Sequence, residues 1–196
     1  MVVLQLFAPQ TPVGFMRILL LLLSFGLPGT ALADVDFQTD KDARADVAVM
    51  AGCFDAAMTW EDAQACVNIT YHPCIARLGR KASHADESAY NYREFGLWEH
   101  LLQIATRKLE AWTVLKDNQI VAESSMRPSA HEIFLRGEQS WAAYLRAQCD
   151  FQVEEFAGGT AGMTVGPHCA MDRTVERLFT LRPFLTKSWA RVSHDP

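Results

Sequence analysis

The chain has 196 residues, with 18 Lys plus Arg against 23 Asp plus Glu for a formal net charge of −5, and five cysteines. That acidic balance argues against nucleic acid and anionic membrane surfaces as partners and leaves a cationic protein electrostatically welcome. At this length a second folded domain is not expected.

Residues 1–33 read as an export signal: Arg17 is the positive flank, residues 18–27 are the apolar run, and Pro28-Gly29 breaks it before the small-residue site Ala31-Leu32-Ala33. Cleavage is expected before Asp34, with Met16 as an alternative start just ahead of Arg17. The apolar run is shorter than the roughly 20 residues of a comfortable span, so no stable membrane insertion is expected after cleavage. No cysteine directly follows the cleavage site to take a lipid. Arg17 is the only charge in the signal, which leaves 17 basic against 23 acidic residues in the mature chain, a net charge of −6. Residues 34–185 are expected to fold as one helical domain, and residues 186–196 to form a tail.

Helical periodicity dominates, without sustained strand-type alternation or an Asn-Gly or Asp-Gly hairpin signal, so the fold class is all-α, a small disulfide-stapled helical bundle. Thr39 and Asp42 resemble a capping pair ahead of a helix over 43–57 with the stripe Val47, Met50, Ala51 and Phe54. Thr59 and Asp62 repeat the device before a short helix holding Ala63, Cys66 and Val67. Pro73 restarts the chain for Cys74, Ile75 and Leu78, because proline is accepted in a first turn. After a loop at 79–83, the longest helix is expected over 86–123, its stripe running from Leu97 and Trp98 through Leu101, Leu102 and Leu109 to Trp112 and Leu115. Gly96 interrupts it, marking a kink or a close approach. Ser129 and Glu132 then have the S-x-x-E spacing of a helix start. That helix carries Phe134, Trp141, Tyr144, Leu145 and Phe151 to about residue 156. Gly158-Gly159 and residues 162–167 read as a loop, followed by a last helix over 169–181 that Pro183 stops.

All five cysteines, Cys53, Cys66, Cys74, Cys149 and Cys169, lie in the mature chain, and an oxidising compartment would bridge them wherever geometry permits. Cys149 and Cys169 flank a loop between two helices expected to be antiparallel, where closing about 20 residues contributes roughly 3 kcal/mol. Cys53 with Cys66 is the second expected bridge, with Cys66 to Cys74 as its alternative; the first choice leaves Cys74 free. Cys66, His72 and Cys74 lack the CxxC pairs of a zinc site, so no metal or cofactor is implied.

The segment Gln139-x-Trp141-x-x-Tyr144 ending in Cys149, then Gly158-Gly159-Thr160, Cys169, Thr174-x-x-Arg177 and Leu181, resembles the LprI-type lysozyme inhibitor domain of exported bacterial proteins. Trp98-Glu99 and Leu102-Gln103 echo the W-D-x-x-L-N helix of longer members. Two departures stand out: Leu145-Arg146 replaces the Arg-Asp that follows the tyrosine in the family, and the region of Tyr90 lacks a further cysteine, which accounts for the odd count. The resemblance implies a periplasmic or secreted binding protein that acts on a basic protein such as lysozyme by occluding its surface. The stapled loop at 157–168 is the candidate for insertion, since a tied loop loses less entropy on binding.

Other chemistry finds weaker footing. Trp98, Trp112 and Trp141 read as core, and the histidines as scattered surface residues. His168 beside Cys169 suggests a thiol and its base, but a bridged cysteine has no thiolate to offer, and no catalytic residue is assigned. Asp86, Glu87, Glu94, Glu99 and Glu110 include pairs suited to glycoside chemistry but read as a solvated helix face. The alternative function is a periplasmic enzyme acting on cell-envelope material, which requires a cleft with perturbed acids or a reactive thiol.

Overall fold

The computed structural model describes residues 41–120, 128–156 and 159–192. The expected export signal, Thr39, Gly158 and the end of the tail lie outside the described residues. Six helices, α1 (Lys41–Ala56), α2 (Trp60–Gln64), α3 (Tyr71–Leu78), α4 (His84–Ile120), α5 (Ala130–Glu154) and α6 (Gly162–Val192), and a 3-10 turn at Gly79–Lys81 make up the described fold. Two disulfides staple it, so it is the all-α bundle expected from the periodicity. None of the described helices is long and apolar enough to cross a membrane.

α4 is the mast of the bundle. Its 37 residues extend about 55 Å at 1.5 Å per residue. α6 packs along it most extensively, α5 closes against both, α1 and α3 lean on α4, and α2 sits on α6. Leu97, Trp98, Leu102, Ala105 and Leu109 bury the inner stripe of α4 against Met171, Val175, Leu178 and Leu181 of α6 and Met50 of α1. Phe54 meets the Trp98 ring edge-on at 6.2 Å, and Trp60 meets Phe179 in the same way at 6.0 Å. Such pairs add directional preference to simple area burial.

The stripe ends sooner than its period suggests. Leu115 is 53% exposed, and Trp112 lies outside the buried cluster with Lys116 Nζ 5.0 Å from its ring centroid. α5 likewise gives only part of its apolar content to the core: Phe134 and Trp141 pack against it, whereas Tyr144 and Phe151 are 47% and 66% exposed.

Helix boundaries differ from expectation in several places. α2 ends at Gln64, so Cys66 and Val67 lie in the turns after it and not in the helix. α4 begins at His84 because Ser83 Oγ accepts the Asp86 amide while an Asp86 carboxylate oxygen accepts the Ser83 amide, a reciprocal cap. α6 begins at Gly162, so residues 162–167 are helix and not loop. Pro167, lacking an N–H, cannot bond the Met163 carbonyl one turn back, and the Ser88 hydroxyl of α4 donates to that carbonyl instead, at 3.0 Å. The glycines that suggested a loop are a close-approach face: Cβ atoms at Gly162 and Gly166 would stand 3.5 and 3.2 Å from Val153 of α5. Pro183 does not stop the helix, which runs through the expected boundary at residue 185 to Val192.

Candidate functional site

Both expected bridges are present, with Cα separations of 5.9 Å for Cys53–Cys66 and 5.6 Å for Cys149–Cys169, and Cys74 is free. Cys149 and Cys169 are nearly buried, so the second bridge ties the last turns of α5 to the start of α6 from inside. With Cys169 oxidised, His168 has no thiol to activate. Its Nε2 lies 3.9 Å from Asp172 Oδ2, and its Nδ1 lies 3.4 Å from the Asn68 side-chain nitrogen. Burial raises the Asp172 carboxyl above the ordinary aspartate range, with His168 and Arg173 opposing the shift and Glu176 adding to it.

The residues that carry the resemblance are divided by the fold. Arg177 donates to Glu138, tying α6 to α5 beside the exposed Gln139. Thr174 is buried, and its hydroxyl has no partner among the described residues. Trp141 lies half-buried on the core, and Tyr144 projects outward. Gly159 is exposed and donates its amide to the Phe156 carbonyl at 2.9 Å, closing the turn after α5. Arg177 therefore joins the two helices, Thr174 is buried and Trp141 packs on the core, while Gln139, Tyr144 and Gly159 face outward.

A buried polar centre that the sequence had placed on a solvated face forms around Glu94, which is 1% exposed. Its Oε1 accepts the Asn68 amide at 2.6 Å and the Trp98 indole N–H at 3.2 Å. Oε2 accepts the Thr70 amide at 3.1 Å, the Thr70 hydroxyl at 2.7 Å and the Tyr71 amide at 2.7 Å. The physical cause is the start of α3: its first amides have no intrahelical partners, and Thr70, the N-cap, makes no side-chain cap within its own helix. A carboxylate from α4 takes those donors and complements the positive end of the helix. Asn68, at φ 69°, turns the chain so that its amide points inward. The available sequence signal was the spacing of Glu94, three before Leu97 and four before Trp98, which puts an acid on the apolar stripe's own face.

α4 repeats this service farther along. Asp117 accepts the Ser129 hydroxyl at 2.6 Å and the amides of Ala130 and His131 at 2.7 and 3.0 Å, capping α5 from outside. Those bonds, the Ser129 hydroxyl first, hold its carboxyl below the ordinary range. Arg182 of α6 does the converse for α1, donating to the Ala57 carbonyl and, at 2.7 Å, to the Asp55 carbonyl. α1 has no basic residue in its own last turn. These long-range caps fill Glu94 and Asp117 with protein donors, so their arrangement positions helices and presents no free acid pair. Among the described residues no three His, Cys, Asp or Glu side chains are placed to hold a metal ion. Comparison with known proteins found no matching family model, no matching curated protein and no matching solved structure.

Proposed function

We propose that the mature chain is a periplasmic or secreted protein-binding module of the LprI-like type, whose partner is a basic protein with lysozyme as the first candidate, and that it acts by covering the partner's surface without chemistry. The observation that carries this reading is the Cys149–Cys169 staple between the two helices that hold the resemblance. A bridge of this kind persists outside the reducing cytoplasm, and it stiffens the exposed end of α5 and the turn after it. The net charge of −6 on residues 34–196 supports it, since opposite charge speeds encounter with a basic protein. The buried acid at Glu94 supports binding over catalysis because its oxygens are occupied by five protein donors.

The test is titration of the oxidised mature protein into lysozyme assays at low and moderate salt. Inhibition that weakens as salt rises is expected, because screening shortens the reach of surface charge. No inhibition of any lysozyme class at micromolar excess rejects the inhibitor assignment and leaves the fold untouched.

A further inference from the structure

α5 has three faces where a helix on a core needs two. One packs inward through Phe134, Trp141 and Cys149, and one carries exposed polar residues such as Glu132, Gln139 and Arg146. Between them runs a third row, Ile133, Gly137, Ser140, Tyr144, Ala147 and Phe151, spaced alternately four and three apart and exposed throughout. At about 100° per residue these six fall within an arc of about 80°, a narrow continuous strip. Ile133, Tyr144 and Phe151 are 49%, 47% and 66% exposed. Single exposed apolar residues are ordinary, but a row along one line of a helix marks a contact surface.

We propose that this row is the surface on which α5 receives a cationic protein, with Tyr144 and Phe151 as its aromatic anchors. The inference rests on the reading of a basic protein partner given above. Charge decides the occupant. Asp150, Glu154 and Glu155 surround the Phe151 end, are exposed, and make no ion pair with any described residue. Arg136 and Arg146 lie farther toward the start of the helix, so the end carrying the most exposed aromatic is the most negative part of the row. An apolar anchor with a charged rim is the usual anatomy of an interface whose centre excludes water and whose edge selects the partner. A second copy of the chain fits less well. It would bring together two mature chains that each carry −6. The Cys149–Cys169 bridge lies next to Asp150 and Phe151 in the chain, so the anchor is held on a tied helix end and little ordering is lost on docking.

The experiment is calorimetric binding of the oxidised mature chain to a basic lysozyme at low and moderate salt, with sedimentation of the chain alone. Phe151→Ser and Tyr144→Ser are each expected to weaken binding at least tenfold, the loss typical of aromatic anchors. The double variant Glu154→Gln, Glu155→Gln is expected to bind more weakly at low salt and to flatten the salt dependence. Met58→Ser, at an 83% exposed position outside α5, is expected to bind within twofold of the wild type. Thermal melts of every variant confirm that the fold is intact. If the wild type binds and both aromatic variants match it within twofold, the row is not the docking surface, although the partner reading stands. If the wild type binds no basic lysozyme, the partner reading fails and this inference fails with it. Self-association abolished by Phe151→Ser would replace the cationic partner with a second copy and overturn the assignment.

Discussion

Replacing Glu94 with glutamine separates a structural carboxylate from a functional one. The carboxylate receives two donors on Oε1 and three on Oε2. An amide has one acceptor oxygen, and its NH2 group must face donors on the other side. The better orientation keeps the oxygen toward Thr70 and Tyr71 and sets the NH2 against the Asn68 amide and the Trp98 indole. Two donors then lose their acceptor. At about 1 to 3 kcal/mol for each unsatisfied group the cost is about 2 to 6 kcal/mol, offset in part because a charge no longer has to be held out of water. A net loss of about 2 to 4 kcal/mol is a large share of the roughly 5 to 15 kcal/mol of a typical domain. With a urea slope of about 2 kcal/mol per molar, the midpoint should fall by about 1 to 2 M. Near-ultraviolet circular dichroism with both disulfides intact follows the packing of the aromatic side chains, buried Trp98 among them. Glu99→Gln, at an exposed position on the same helix, is the control. A Glu94→Gln midpoint equivalent to within about 0.5 kcal/mol of the wild type, the range of ordinary surface changes, would refute the capping argument.

Four further outcomes are expected. Cys149→Ser with Cys169→Ser should lower stability by roughly 3 kcal/mol through loop entropy, and non-reducing peptide maps of the wild type should show crosslinks 53 to 66 and 149 to 169 with Cys74 alkylated. Gly96→Ala should raise stability by up to about 1 kcal/mol in a urea melt, since a Cβ there meets nothing within 4 Å; Gly166→Ala should fall short of that gain because its Cβ presses on Val153 at 3.2 Å. Thr174→Val should be neutral or stabilising by about 1 kcal/mol in the same assay, since it removes a buried hydroxyl that has no partner among the described residues. Hydrogen bonds hold Asp62, Asp86 and Asp117 below the ordinary range, chiefly from the Thr59 amide, the Ser83 hydroxyl and the Ser129 hydroxyl respectively. Their folded values lie below their unfolded ones, so their contribution is present above the ordinary carboxylate range and is lost as pH falls through the lowered values. Asp172 has the opposite sign: burial raises its folded value, so its contribution is lost as pH rises through that value, and Asp172→Asn should raise Tm at pH 7. Melting curves from pH 7 to strong acid check both signs, and Asp117→Asn should flatten the acid limb.

The row on α5 shows what periodicity can and cannot say. Tyr144 and Phe151 share the apolar spacing of Phe134 and Trp141, and a spacing of three and four marks a face without saying what covers it. Only the placement of α4 and α6 on one side of α5 separates covered from uncovered residues. The glycines before Cys169 were ambiguous for a related reason: glycine suits both a loop and a tight helix crossing, and Val153 lies 9 residues before Gly162 and 13 before Gly166.

Local chemistry was enough to determine the helical class, the Thr59–Asp62 and Ser129–Glu132 helix starts and both disulfides, because those depend on neighbours in the chain or on a short loop between helices. Tertiary structure alone decided which donors Glu94, Asp117 and Arg182 meet, since a helix end left open by its own residues can be closed by a side chain 12 to 127 residues away. It also decided where α6 begins, because a Ser88 hydroxyl on another helix satisfies the carbonyl that Pro167 leaves open. Such bonds are set by the three-dimensional meeting of orphan donors and acceptors, which no spacing along the chain encodes.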